Sequence, residues 1–291
     1  MKPPRFNYHA PESLPEAIKL LSTLDNARLL AGGQSLVPML NMRYAFPDHL
    51  IDLNRIPGLS FIRLNGEMLE IGAMTRQRDI EFSDQVARRC PLLAEAIRQV
   101  GHRQTRNRGT VGGSLCHLDP SAEVVTVSAA LDATVTILGP RGERRIAFSE
   151  FPAGYMTSCV GPDECLTSVA LPLWSNSHGY AFLEFARRHG DFAIVSAAAL
   201  LEEDAGGVIR RVSLALGGVA AAPVRASKVE QAVLGQPAGT ELFRDACAVC
   251  AEIDALEDVH APASYRRHLA VVMARRALEQ AHTRAREHRG G

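Results

Sequence analysis

The chain carries no excess of either charge. Lysine plus arginine and aspartate plus glutamate each number 32 in 291 residues. That balance argues against a dominant nucleic-acid or anionic-membrane function, both of which want a basic surplus. The one basic cluster, Arg276 to Arg289, reads as a frayed terminus or a subunit contact. No apolar run reaches the ~18 residues of a transmembrane helix. Met1-Lys2-Pro3-Pro4-Arg5 leads into no apolar segment, so no signal peptide is visible and a cytoplasmic protein is expected. Cysteine is sparse: Cys90, Cys116, Cys159, Cys165, Cys247 and Cys250 form no disulfide framework in a chain this long. Cys247 and Cys250 have metal-ligand spacing, but no second pair and no spaced histidines complete a site, and they read as buried helix cysteines. Repeats and low-complexity segments are absent. So are Gly-x-Gly-x-x-Gly and Gly-x-x-x-x-Gly-Lys-Ser/Thr, which disfavours a Rossmann unit and excludes a P-loop.

What the sequence does hold is a succession of short elements. Ser13-Leu14-Pro15-Glu16 is a capping-box pattern before a helix to about Leu24. Arg28 to Ala31 and Leu50 to Leu53 read as short strands. Asn65-Gly66 between apolar runs is a hairpin signal. Helices are expected over Arg78 to Ala87, Pro91 to Val100 and Ser121 to Leu131. His102 to Arg108 reads equally as a solvated loop or as a basic surface for a phosphate or a partner. A second hairpin spans Thr134 to Phe148, and Glu164 to Leu171 is a strand. After the break at Pro172 to Ser177 come three β segments (Gly179 to Ala186, Phe192 to Leu201, Ile209 to Leu216). Three helices follow: Ala226 to Leu234, Gly239 to Ala255 and Ser264 to His282. Strands followed by helices indicate an α+β layer domain.

Two glycine pairs carry the chemistry. The first strand runs directly into Gly32-Gly33-Gln34-Ser35. Eighty residues on, Thr110-Val111-Gly112-Gly113-Ser114 is followed by Asp119-Pro120-Ser121-Ala122-Glu123. Glycine lets backbone approach a ligand, and successive N–H groups in such a turn form an anion-binding concavity. Two such loops suit the two phosphates of a dinucleotide. The plainer reading of each is a tight turn, with Thr110 and Ser114 as caps and Asp119 as an Asx-turn.

Ala31-Gly32-Gly33-Gln34-Ser35-Leu36, Thr110 to Ser114, Asp119 to Glu123, Phe185 to Ala193 and Ala263 to Ala270 together resemble the FAD subunit of molybdenum hydroxylases. That family includes the aerobic carbon monoxide dehydrogenase medium subunit and the xanthine dehydrogenase flavin subunit. The likeness runs from about Arg5 to Leu278. It implies an α+β fold: a two-part FAD-binding domain of the PCMH (vanillyl-alcohol-oxidase) type over residues 1–175, with subdomains about 1–56 and 57–175. A C-terminal domain would follow over 176–285, with a three-stranded antiparallel sheet and three helices, then a tail at 286–291.

The resemblance also implies site residues. Leu29, Leu30, Ala31, Gly32, Gly33, Gln34, Ser35 and Leu36 would wrap one part of the FAD diphosphate. Thr110, Val111, Gly112, Gly113 and Ser114 would supply backbone N–H and hydroxyl donors to the rest. Cys116 and Ser121 would line the site, and Asp119 and Glu123 would accept hydrogen bonds from ribityl or ribose hydroxyls. Leu166 would pack on adenine or ring edges, and Asp191 and Phe192 would lie by the isoalloxazine. No catalytic acid or base and no metal ligand is assigned. His117 is read as packing or supporting the site in preference to moving a proton.

Functionally, the resemblance implies an oxidoreductase subunit that takes electrons from two [2Fe–2S] clusters on a small subunit and passes them through FAD to an external acceptor. Substrate would react at a molybdopterin cofactor on a large subunit, in a dimer of heterotrimers. Glu184 and Phe192 depart from carbon monoxide-oxidising members, so an N-heteroaromatic substrate is preferred to carbon monoxide or an aldehyde. The chain lacks the cysteine-rich insertion of the benzoyl-CoA reductase type relative, and no extra cluster is expected. Two alternatives stand: a stand-alone flavoenzyme of the same architecture, and an assembly subunit that has lost flavin.

Overall fold

A computed structural model describes residues 1–290, with side chains as far as His288. The first unit is a three-stranded parallel sheet, ordered Asn7–His9, His49–Asp52, Ala27–Leu30. The helix Leu14–Thr23 covers it. Ser13 accepts from the Glu16 N–H, and the Glu16 carboxylate accepts from the Glu12 N–H, which satisfies otherwise orphaned donors. Ala17, Ile18 and Leu21 pack with Ile51 and Leu53, and the cluster is closed by Met74 and Cys165 from later in the chain.

The second unit is a five-stranded antiparallel sheet. Its order is Ile62–Asn65, Met68–Gly72, Cys165–Pro172, Thr134–Gly139, Gly142–Ala147. Both expected hairpins are present. Alternation puts Leu69, Ile71, Val135, Ile137, Val169 and Leu171 on one face, against the helices Pro91–Gln99, Val111–His117 and Glu123–Ala130. A bulge between Leu166 and Ser168 shifts the phase, so Leu166 joins that same core while Cys165 turns to the first unit. The expected helix over Arg78 to Ala87 is two short ones, Gln77–Glu81 and Asp84–Arg89, because Ser83 caps a new start by accepting from the Val86 N–H.

The third unit is an antiparallel sheet ordered Gly179–Phe185, Val195–Glu203, Ile209–Gly217, with a two-residue fourth strand, Val224–Arg225, on its edge. The central strand is apolar on both faces for a reason. Ala197, Ala199 and Leu201 face the last helix, whereas Ala198 and Leu200 join the core of the second unit beneath Glu123–Ala130. The last helix runs from Ala263 to Gly290, so the expected tail is helical through Gly290, and Gly291 lies outside the described residues. Arg284 on this helix ties the units together. It donates to Glu95 Oε2 at 2.6 Å and to the Tyr180 carbonyl at 2.8 Å, and lies over the Tyr180 ring. The Gly239 to Ala255 segment is a shorter helix, Thr240–Cys247, continued by a 3-10 turn. None of the described helices is long and apolar enough to cross a membrane.

Candidate functional site

The strand Ala27–Leu30 ends in the first glycine loop, and the helix Leu36–Asn41 begins directly after it. Gly33 has φ +73°, a conformation that favours glycine. The backbone N–H groups of Gly32, Gly33, Gln34, Ser35 and Leu36 donate to no other group among the described residues. Five consecutive unused donors on a concave turn are an anion cradle. They border a groove of about 380 Å³ lined by Leu30 to Gln34, Val37, Pro38 and Asn41, with Asp52, Asn54 and Arg108 opposite. Leu29 turns inward to the first unit's core, and Ala31 packs on that core while bordering the groove.

The second glycine motif lies against the first. A Cβ at Gly32 would overlap the Arg108 carbonyl, and one at Gly113 would sit 3.7 Å from Ala31 Cβ. Its form differs from the expected turn. Thr110 is the N-cap of the helix Val111–His117, its hydroxyl accepting from the Gly113 N–H. Val111 N–H donates to the Thr75 carbonyl, Gly112 N–H to the Ala73 carbonyl and Ser114 N–H to the Thr110 carbonyl. The expectation that this stretch offers backbone donors is therefore corrected, since the cap and the neighbouring strand end use them. What it offers is a close-packed glycine surface and the Ser114 hydroxyl, which makes no hydrogen bond among the described residues. The run His102 to Arg108 is also a helix, Arg103–Arg108. Arg106 is buried in it and paired with Glu81 at 2.9 Å, while Arg108 faces the groove.

Beyond the helix, Leu118 takes φ +51° and Asp119 Oδ1 accepts from the Ser121 N–H at 2.8 Å, so Asp119 does make the Asx-turn. Pro120 then meets the third unit, its carbonyl accepting from the Gly218 N–H at 2.7 Å. Glu123 opens the next helix and is only 5 % exposed. Burial first, and then the nearby Glu184 and Asp119 carboxylates, push its carboxyl up to about 8. Burial likewise pushes Glu184 up to about 7. Glu184 Oε2 and the Ser196 hydroxyl, cross-strand neighbours, are buried without a hydrogen-bond partner. Unsatisfied polar atoms in such a junction call for a bound group.

The remaining predicted residues divide. Cys116 is open to water on the exposed side of the helix Val111–His117. Leu166 is 3 % exposed and belongs to the sheet core. Asp191 and Phe192 lie in the loop before the strand Val195–Glu203 rather than in it, and Phe192 is 65 % exposed. That loop reaches back to the second unit, because a Cβ at Gly190 would press on the His102 ring. Cys247 and Cys250 are buried, and no metal-holding cluster of three or more ligand side chains occurs among the described residues. Sequence reasoning missed Asp52, Asn54 and Arg76; only the basic run ending at Arg108 gave any signal.

This geometry defines an anion cradle and a glycine-faced helix at a junction of three units, and the comparisons give it a family. Residues 4–174 match the FAD binding domain in molybdopterin dehydrogenase, and residues 180–281 match the CO dehydrogenase flavoprotein C-terminal domain. The chain belongs to the family of FAD-containing medium subunits of molybdenum hydroxylases and is an oxidoreductase subunit. It is 38 % identical to the 6-hydroxypseudooxynicotine dehydrogenase complex subunit alpha of Paenarthrobacter nicotinovorans, over 98 % of this chain and 97 % of that one. Its structure is similar to carbon monoxide dehydrogenase from Hydrogenophaga pseudoflava (TM-score 0.95, 38 % identity, covering 98 % and 99 % of the two chains). It is also similar to quinoline 2-oxidoreductase from Pseudomonas putida 86 (TM-score 0.94, 34 % identity, covering 98 % and 99 %). The residues present fit FAD: the donors of Gly32 to Leu36 suit its diphosphate, and unpartnered buried oxygens at Glu184 and Ser196 lie where the third unit closes on the motif.

Proposed function

We propose that this chain carries electrons within its molybdenum dehydrogenase complex and makes no bond to the organic substrate. Bound FAD supplies the redox chemistry, since it exchanges electrons both singly and in pairs. The chain's own residues bind and orient it. Leu29 to Leu36 wrap the diphosphate, with the Gly32 to Leu36 N–H groups as donors. Gly112 and Gly113 keep the second motif close, and the Ser114 hydroxyl adds a donor. Thr110 and Val111 fix the helix start, and Cys116 and Ser121 border the cofactor. Asp119 and Glu123 accept from sugar or ribityl hydroxyls; Glu123 also holds a proton near neutral pH, so it can donate. Asp191 and Phe192 flank the ring, the exposed Phe192 covering one face. Leu166 backs the adenine side from the core. The observation that carries this reading is the run of five unused N–H groups facing a second glycine motif.

The complex is proposed as a dimer of heterotrimers, cytoplasmic, with an iron–sulfur subunit holding two [2Fe–2S] clusters and a large subunit holding the molybdopterin cofactor. The quinoline and 6-hydroxypseudooxynicotine relatives support an N-heteroaromatic substrate, and carbon monoxide and glyceraldehyde dehydrogenase relatives of like similarity keep carbon monoxide or an aldehyde as the alternative. The proposed division of the chain is 1–175 and 176–285. The test is the visible spectrum of the purified chain and complex. A flavin spectrum, bleached by substrate only when the partner subunits are present, is expected. A colourless protein in every preparation overturns flavin binding, and substrate turnover by the chain alone overturns the subunit role.

A further inference from the structure

The two glycine motifs are joined by a side-chain strut that none of the motifs contains. Arg76 stands just before the helix Gln77–Glu81, in an isolated β-bridge with Thr110. One guanidinium nitrogen, Nη1, donates to the Arg108 carbonyl; the other, Nη2, donates to Asn54 Oδ1. The Asn54 amide, held by Asp52 Oδ1, donates in turn to the Ala31 carbonyl at 3.0 Å. Ala31 is the residue before Gly32, and Arg108 is the residue before Gly109-Thr110. The strut thus runs from the backbone of one motif to the backbone of the other, and it ends on the carbonyl that Gly32 packs against.

The charge arrangement is unusual for a structural arginine. Arg76 and Arg108 make no ion pair among the described residues. Arg76 gives its fork to two neutral oxygens, although Asp52 is close by. The Asp52 carboxylate is already taken by the Tyr8 hydroxyl and by the Asn54 N–H and amide. Burial and the neighbouring Arg108 cation hold the Arg76 guanidinium below its ordinary range. Arg108 lines the groove of the five free N–H donors without a direct ion pair, and Asp52 is the one carboxylate that shares that groove. Neutral oxygens would bind a guanidinium more weakly than a carboxylate does, so geometry rather than pairing energy accounts for the contact.

We infer that Arg76 and Asn54 are positioning residues that hold the two glycine motifs at the separation FAD requires. The inference rests on the FAD reading above. It needs the planar fork of arginine, which reaches two acceptors at once; a lysine keeps the charge and cannot do so.

The test uses the full chain freed of flavin, titrated with FAD and with riboflavin, which lacks the diphosphate. Arg76→Lys and Asn54→Ala should each weaken FAD binding at least tenfold, leave riboflavin binding unchanged, and alter the visible circular dichroism of bound FAD. In the double variant the two losses should not add, because each breaks the same strut. Wild-type FAD affinity in either variant overturns the strut, as does full additivity or an equal loss of riboflavin. Asn54 is exposed, so Asn54→Ala carries the test even if Arg76→Lys fails to fold. Failure of the wild-type chain to take up FAD would instead defeat the parent reading.

Discussion

Gly32 is pressed against the carbonyl of Arg108, with no room for a β-carbon between them. Two segments that are distant in sequence thereby form one wall. Gly32→Ala should push the motifs apart and lower flavin content severalfold. Gly113→Val should abolish FAD retention, because its branched side chain must enter the space between Thr110 Oγ1, 2.8 Å from an ideal Cβ, and Ala31. The ratio of flavin to protein absorbance measures both, and unchanged flavin in the Gly113 variant would remove that residue from the site.

Glu123 makes stability depend on pH. Its folded pKa, about 8, lies above the ordinary value of 4.5, so between these the folded state holds a proton that the unfolded state has lost. Stability contributed by this proton is full below pH 4.5 and declines as pH rises to about 8, a loss of roughly 3 kcal/mol by pH 7. Glu123→Gln should flatten the decline. Urea midpoints of the flavin-free chain should show the variant gaining on wild type between pH 5 and pH 8; parallel profiles would contradict the assignment.

Arg284 joins the last helix to Glu95 and Tyr180. Both partners of the ion pair are partly buried. Arg284→Ala should cost about 1–3 kcal/mol, the range for a charged hydrogen bond lost from a partly buried site. Equilibrium denaturation checks this, and a second, earlier transition would indicate that the third unit has uncoupled.

The cysteines should react in an order set by access. Cys247 and Cys250 are buried, with thiols pushed up to about 12 and 11, and should react with a thiol reagent only on unfolding. Cys116 is exposed and should react in the native chain, and bound FAD should protect it. Elemental analysis should find no zinc bound to the chain.

The hairpins, most of the longer sheet strands and both glycine motifs were legible because local rules decide them: Asn65-Gly66, the alternation of Leu69 and Ile71, and the Ser13 cap; the three-residue edge strand Asn7–His9 was not, being too short for a period. The second motif was legible in place but misread in form. Its hydroxyl and paired glycines suit a turn, and only Ala73 and Thr75, supplied by another strand end, make it a capped helix with its donors used. Phe192 looked like strand core because it is aromatic and precedes an apolar run; the turn at Gly190 keeps it outside the sheet. Arg76 and Asn54 were invisible, since an arginine or asparagine before a turn is common and their partners are distant carbonyls. The fourth strand, two residues long, has no sequence period to detect.

The core of the first unit has a consequence for how the chain is made. Residues 7–59 supply most of it, yet Met74 and Cys165 close it. Translation proceeds from the N-terminus, so the first glycine loop leaves the ribosome long before the strand that seats it. The core behind the first glycine loop is complete only after Cys165 has emerged, so a shorter nascent chain has an open hydrophobic seam. Ribosome-bound chains should therefore hold FAD only once residues through Cys165 are out, and chains stalled before that point should be the more open to chaperones and proteases.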